Sequence, residues 1–228
     1  MSLLDVLDEK QLALEISDRA AACSIVLTSD AALRIAHHMR RVLEAEPSLH
    51  LTSISDPREF LERQVGESIE GAALLDPDVA GDMLDLGSGN GYPGLPLVAC
   101  RPGLRPHLAE ASRRKAAFLR SVIEESFPNG KVIEQQVQRA VDLADEPSFV
   151  VVATRAMGNW ERVLPRLESR MTAGARLLVW AGEQMEVVSA RAAWRRFRPV
   201  ERRPLPGRDR SWIWSFEPAG TADQRLII

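Results

Sequence analysis

Cysteine is scarce in this chain: Cys23 and Cys100 stand far apart, with no metal-ligand spacing around either. That excludes a disulfide-stapled scaffold and fits two buried thiols in a reducing, cytoplasmic setting. Aromatic residues make up only 5% and the net charge is −3, which excludes a uniformly basic RNA-coating protein. Local basic patches remain open to nucleic acid. No stretch is apolar enough to span a bilayer, and the N-terminus lacks a basic segment followed by an apolar one, so no membrane partner is expected. Repeats and low-complexity segments are absent. At 228 residues the chain suits one domain of ample core with a small extension.

What the chain does have is one distinctive stretch, Asp82 to Leu97. Met83, Leu84 and Leu86 form an apolar strand, and Gly87, Gly89 and Gly91 follow on alternate positions. Glycine permits positive φ and lets a backbone approach a ligand closely. From Gly94 a helix begins, with Pro96 tolerated in its first turn. A turn at the carboxyl end of the first strand is where open α/β sheets bind nucleotide-like ligands. The spacing is G-x-G-x-G-x-x-G behind an acidic residue, Asp85, not the G-x-G-x-x-G of a dinucleotide site. An acid suits a ligand with a cationic end. S-adenosyl-L-methionine carries an ammonium and a sulfonium and no phosphate, and D-x-G-x-G-x-G is the usual first motif of methyltransferases that use it. The alternatives are an ordinary tight βα turn and a dinucleotide site.

Residues 1–80 read as a helical extension. Leu3, Leu4, Leu7, Leu12, Leu14 and Ile16 mark one helix to about Ala22. Ser29 or Asp30 caps a second, which Pro47 closes, and it carries His37 and His38 as a solvated or core-edge pair. Asp56-Pro57 begins a third, with Phe60, Leu61 and Val65 on its apolar side, and Ser68 to Leu75 forms another short one.

After the glycines the pattern alternates over residues 81–217. Arg105 to Ala109 is a second strand ending in Glu110, placed to accept hydrogen bonds from both ribose hydroxyls of an adenosine. Ser112 caps a helix whose exposed face carries Arg113, Arg114, Lys115 and Arg120, either simply solvated or contacting phosphates. Lys131 to Gln135 is a third strand, and Gln138-Arg139-Ala140 follows it in a loop bordering the adenine. Phe149 to Ala153 is an apolar central strand, with Thr154-Arg155-Ala156 at its carboxyl end. Trp160 to Met171 reads as a helix, Ala175 to Trp180 as the fifth strand, and Met185 to Phe197 as a basic helix. Glu201 to Leu205 and Ser211 to Phe216 make an antiparallel pair around Gly207-Arg208-Asp209-Arg210. Trp212 and Trp214 share one face as core or sheet cover, and residues 218–228 form a loose tail.

These residues together resemble the glucose-inhibited division protein B family, the bacterial 16S ribosomal RNA guanine-N7 methyltransferases. Leu51-Thr52-Ser53-Ile54, Asp56-Pro57, Arg63 and Ser68 are similar to that family's N-L-T-S-I-x-D-P…R-H-x-x-D-S segment. Asp85 through Leu97 resembles its D-x-G-S/T-G-x-G-x-P-G-I/L-P-L motif, whose P-G-L-P-L end is far more specific than the glycines. The likeness covers roughly residues 48 to 216. It implies a Rossmann-like α/β fold, a seven-stranded methyltransferase sheet behind an N-terminal helical extension. It also implies S-adenosyl-L-methionine as donor, and N7 of a guanine in 16S ribosomal RNA or the small ribosomal subunit as acceptor.

The expected donor-binding residues are Asp85, Gly87, Ser88, Gly89, Gly91, Tyr92, Glu110, Ala111, Arg139, Ala140 and Arg155. Arg155 and Arg210 are the expected catalytic pair. Arg63, Arg113, Arg114, Lys115 and Arg208 are the expected RNA contacts, no metal is expected, and the chain is expected to act as a monomer. Departures from the family pattern gather away from the donor turn. His50 stands for an asparagine, Gln64 for a histidine, Glu67 for an aspartate, Val141 for a glutamate and Ala181 for a lysine; Asp209 and Ser211 also differ. A small-molecule or protein acceptor, or binding without turnover, is the alternative that these changes raise.

Overall fold

Strand β1 (Gly81–Leu86) alternates its side chains between two cores: Met83 packs into one apolar cluster, Leu84 and Leu86 into another. The computed structural model describes residues 8–220; Leu3, Leu4 and Leu7 and the tail from residue 221 lie outside the described residues. Around β1 stand β2 (Leu104–Ala109), β3 (Lys131–Ile133), β4 (Phe149–Arg155), β5 (Met171–Gly182), β6 (Phe197–Pro204) and β7 (Ser211–Pro218). The sheet order is β3-β2-β1-β4-β5-β7-β6. The first five are parallel, and β7 inserts antiparallel between β5 and β6. The chain crosses from β1 outward to β2 on one side and to β4 on the other. That switch point opens a crevice at the carboxyl ends of β1, β2 and β4.

The helical extension comprises α1 (Glu9–Ala22), α2 (Ser29–Leu49), α3 (Pro57–Phe60) and α4 (Glu67–Ala72). Leu12 and Ile16 of α1, Ile35 and Met39 of α2, and Met83, Val151 and Leu178 of the sheet belong to one continuous buried cluster. The extension therefore covers one face of the sheet and shares its core. The cap of α2 is Thr28, one residue before the expected Ser29 or Asp30; its hydroxyl accepts from Ala31 N at 3.1 Å. Pro47 does not close α2. A proline in the last turn removes a single backbone donor, and the chain turns away only at His50, which takes φ 50° and caps Glu46 O.

Between α3 and α4 the chain forms a π-helical turn, Leu61–Gly66, so the two helices expected here are one run from Pro57 to Ala72. Five consecutive buried residues, Val65 to Ile69, span the end of the widened turn and the start of α4, and they include the carboxylate of Glu67. Such turns are rare and concentrate at functional sites.

Beyond β1 lie α5 (Gly94–Cys100), α6 (Arg113–Ser126), α7 (Trp160–Val163) and α8 (Gln184–Ser189). Two expected helices are shorter than their patterns. Residues 160–171 hold only α7 and two 3-10 turns, because Pro165 has no backbone N–H to continue the ladder. Residues 185–197 hold α8 and a 3-10 turn, and Phe197 already pairs with Pro218 in the sheet. Strand β5 is longer than its apolar run, since β7 pairs with Ala181 and Gly182. Strand β3 stops at Ile133, two residues short of the expected Gln135. Trp214 is buried, its indole N–H reaching Ala181 O at 3.3 Å, and the Arg202 guanidinium lies over both Trp212 and Trp214. Both tryptophans cover the sheet.

Gly71 is a point of close approach between the extension and the sheet. A Cβ there would stand 2.5 Å from the Trp180 ring of β5. Gly71→Ala is expected to cost about 1–3 kcal/mol by overpacking. Urea denaturation measures this as a lower midpoint at unchanged slope, and an unchanged midpoint would refute the tight contact.

Candidate active site

The glycine turn is held by its neighbours at each step. Gly87 N and Ser88 N donate to Ala109 O of β2 at 2.9 and 3.0 Å, and Ser88 Oγ donates to Asp85 O at 2.9 Å. Gly89, at φ 56°, donates its N–H to Glu110 Oε2 at 2.9 Å, and a Cβ there would meet nothing nearer than 3.8 Å. Gly89 thus faces open space. Gly91, at φ 90°, lies against the protein: a Cβ would fall 2.9 Å from the His38 ring of α2.

Asp85 sits behind the turn, 1% exposed. Its Oδ2 accepts from Gly94 N at 3.2 Å, which anchors the start of α5. Its Oδ1 is buried with no partner. Burial pushes the carboxyl up to about 7, and the Glu110 charge adds to the rise while the Gly94 N–H opposes it. Glu110 ends β2 and accepts from Gly89 N and, at 2.7 Å, from Ser112 N. Ser112 stands at the N-cap position of α6, but its hydroxyl makes no cap hydrogen bond; its own backbone N–H donates to Glu110.

In front of the turn lies a cavity of about 270 Å³ at the switch point. Its walls include Gly87, Glu110, Ala111, Val137, Met157 and Asn159. A second concavity, about 660 Å³, separates the π-helical turn from the β6–β7 loop and is lined by Glu59, Glu62, Arg63, Arg208, Asp209 and Ser211 among others. Beneath it, Glu67 is 2% exposed and stands between two arginines, with Arg155 Nη2 at 3.0 Å and Arg208 Nε at 2.8 Å. These are ionic contacts without aligned hydrogen bonds to the carboxylate. Arg155 also donates to Arg63 O at 2.8 Å. Burial raises the Glu67 carboxyl, and the arginines oppose the rise.

Residues 33–195 match the family model described as GidB, rRNA small subunit methyltransferase G. A ribosomal RNA small subunit methyltransferase G of Sorangium cellulosum is 32% identical over 78% of this chain and 75% of its own length. One from Solibacter usitatus is 31% identical over 75% and 82%. The chain belongs to the rRNA small subunit methyltransferase G family. In fold it is similar to Aeropyrum pernix fibrillarin, solved with natively bound S-adenosyl-L-methionine, at TM-score 0.51 and 14% identity over 63% of this chain and 68% of that one. A predicted O-methyltransferase of Agrobacterium tumefaciens gives TM-score 0.54 at 23% identity over 66% and 79%.

As a member of this family the chain is a methyltransferase, and its donor is S-adenosylmethionine. The residues present fit that donor. The unpartnered buried Oδ1 of Asp85 suits a cationic group, and each oxygen of Glu110 keeps a lone pair beyond its one backbone contact. Among the described residues no group of three or more His, Cys, Asp or Glu could hold a metal ion, and no helix is long and apolar enough to cross a membrane.

The structure brings only part of the expected set together. Gly87, Glu110 and Ala111 line the cavity at the switch point, and Asp85, Ser88 and Gly89 stand behind them. Tyr92 points the other way, 3% exposed, stacked on His38 at 4.5 Å and edge-on to Phe60 at 5.3 Å. Arg139 is largely exposed and, with Ala140, begins a 3-10 turn next to the cavity wall at Gln138. Arg155 is tied to Glu67 and is not among the residues lining the switch-point cavity; Arg210 is exposed at φ 56° and pairs with Glu183. Arg63 pairs with Glu59 at 2.5 Å, and Arg114 donates to Ser48 O at 2.7 Å, next to Arg113 and Lys115 at the start of α6. Met157 and Asn159 escaped sequence reasoning, and His38, read as one of a solvated or core-edge pair, is fully buried against the turn. Only their place, on α2 and just past the end of β4, could have signalled them.

The Asp85 shift fixes a sign. An acid whose folded-state pKa is raised binds more protons when folded, so its contribution is fully present below the unfolded pKa and is lost as pH rises through about 7. Asp85→Asn keeps an acceptor for Gly94 N and removes the titration. The stability of Asp85→Asn relative to the parent is expected to rise between pH 4 and about 7, as read by denaturation at several pH values. A difference independent of pH would show that Asp85 ionises normally.

Proposed function

We propose that the chain transfers a methyl group from S-adenosylmethionine to N7 of a guanine in the ribosomal RNA of the small subunit. The observation that carries this reading is the cavity at the switch point, walled by the glycine turn and Glu110 in a chain of this family. Its relatives' names support the RNA class.

In this reading Glu110 accepts from the ribose hydroxyls, Asp85 Oδ1 faces the donor's cationic end, and Gly87, Gly89 and Ala111 let the backbone approach. Val137 and Gln138 border the adenine. Bound S-adenosylmethionine supplies an electrophilic methyl group. Guanine N7 has an exposed lone pair and no proton, so the N–C bond forms as the S–C bond breaks and positive charge moves to the purine. No general base is needed, which agrees with a site whose cavity walls place no histidine at the donor. The chain's own task is alignment, worth on the order of 7–11 kcal/mol. Arg155 serves it by holding the Arg63 carbonyl and Glu67, hence the acceptor groove, against the end of β4. Arg63, Arg208 and the α6 residues Arg113, Arg114 and Lys115 supply phosphate contacts that position RNA without reading its sequence. Arg210, exposed at the tip of the β6–β7 loop, joins them at the groove's rim.

Methyl transfer from labelled S-adenosylmethionine to small ribosomal subunits lacking the modification tests this. Label recovered as 7-methylguanine is expected, and Gly89→Arg, which fills the open side of the turn, is expected to give none. Label on a small molecule or protein instead, or donor binding without turnover, would replace the RNA reading. Arg155→Ala is expected to lower turnover about tenfold or more while donor affinity stays within about twofold, since misplacement near 1 Å can cost 10²-fold. Parent-level turnover would remove Arg155 from the site.

A further inference from the structure

We propose that His38, on α2 and outside the donor cavity, is a positioning residue that holds the glycine turn in its donor-binding shape. His38 is 0% exposed, and its Nε2 lies 2.7 Å from the carbonyl oxygen of Asn90, in the middle of the turn. A carbonyl only accepts, so Nε2 carries the proton and Nδ1 does not; Nδ1 is buried without a partner. The ring is stacked at 11° on Tyr92, the residue after Gly91, and fills the space that a Cβ on Gly91 would need. The histidine therefore grips the turn by a hydrogen bond, a stacked face and a steric fit at once. Burial pushes it down to about 4, so it stays neutral and its tautomer is constant at neutral pH.

The turn needs such a grip. Three glycines at alternate positions give residues 87–91 many accessible backbone states, and the Asn90–Gly91 peptide can rotate at low steric cost because Gly91 has no Cβ. Rotation would carry the Asn90 carbonyl off His38 and the Gly91 N–H off Ser88 O, which it now meets at 2.7 Å, and so loosen the turn beside the cavity. Any ordering left undone in the free protein must be supplied on binding and weakens affinity. His38 is itself immobile, because α2 is tied down on both sides of it. His37 bridges Glu9 and Glu125 at 3.1 and 3.0 Å, and Arg41 pairs with Glu125 and donates to Ser121 at 3.2 Å. The helical extension is thus part of the donor site's scaffold. This rests on the glycine turn being that site.

Titration calorimetry with S-adenosylmethionine, well below the melting temperature, tests it. His38→Phe keeps the stacked ring and removes the N–H; His38→Leu serves the same arm should that variant not fold. Either is expected to weaken donor affinity about tenfold, the equivalent of one lost hydrogen bond to a buried carbonyl. His38→Gln, which keeps an N–H within reach of Asn90, is expected to recover to within about threefold. In methyl-transfer assays the KM for the donor rises, while kcat at saturating donor and the KM for RNA stay within about twofold. Donor affinity within about twofold of the parent in folded His38→Phe or His38→Leu would overturn the proposal. So would equal losses in those variants and in His38→Gln. A parent chain that binds no donor would overturn the donor site instead.

Discussion

The structure depends on holding a flexible glycine turn still from two sides. On the sheet side, Glu110 of β2 takes the Gly89 N–H and the Ser112 N–H with its two oxygens. On the helical side, Asn90 and Gly91 are pressed under the His38 ring. Below, Asp85 ties the turn's exit to α5 through Gly94, where a Cβ would stand 2.6 Å from its carboxylate. Glycine makes the close approach of a ligand possible and also makes the turn entropically loose. The surrounding packing resolves that conflict, because the turn is restrained by contacts already made within the protein.

A second constraint sits beneath the groove between the π-helical turn and the β6–β7 loop. Glu67 is buried by the π-helical turn and compensated by Arg155 from the end of β4 and Arg208 from the β6–β7 loop. Buried ion pairs of this kind contribute little net stability, since desolvation offsets attraction, but removing one partner is costly. Their effect here is geometric. Three segments distant in sequence are fixed around one carboxylate, and the groove above them keeps its width. The departures from the family pattern at Gln64, Glu67 and Asp209 fall in or beside this cluster, on segments that also carry Arg63 and Arg208. The donor turn has none.

Local patterns were read well wherever one interaction dominates. The apolar strand before the glycines, the carboxylate at the end of β2 and the central run of β4 each follow from period and punctuation, and each stands where expected. Patterns failed where partners decide. Pro47 lies inside α2 because α2 ends by a left-handed residue at His50. Phe197 reads as the end of a basic helix, yet pairing with Pro218 draws it into β6. Ser112 stands at the cap position as its pattern indicates, yet its hydroxyl makes no cap hydrogen bond.

By itself the sequence determined the α/β order, the position of the glycine turn, the acid at the end of β2 and the family, because these rest on short-range periodicity and on a contiguous motif. Only the tertiary structure decided which side of the turn faces a ligand. Gly87 lines the cavity and Gly89 has open space beside it, while Gly91 and Tyr92 face α2, although all four lie within one motif. It also decided that Arg155 meets Glu67 and that His38 meets Asn90. Those pairs are separated by long stretches of chain, and their meeting is set by how the helical layer packs on the sheet, which no local spacing encodes.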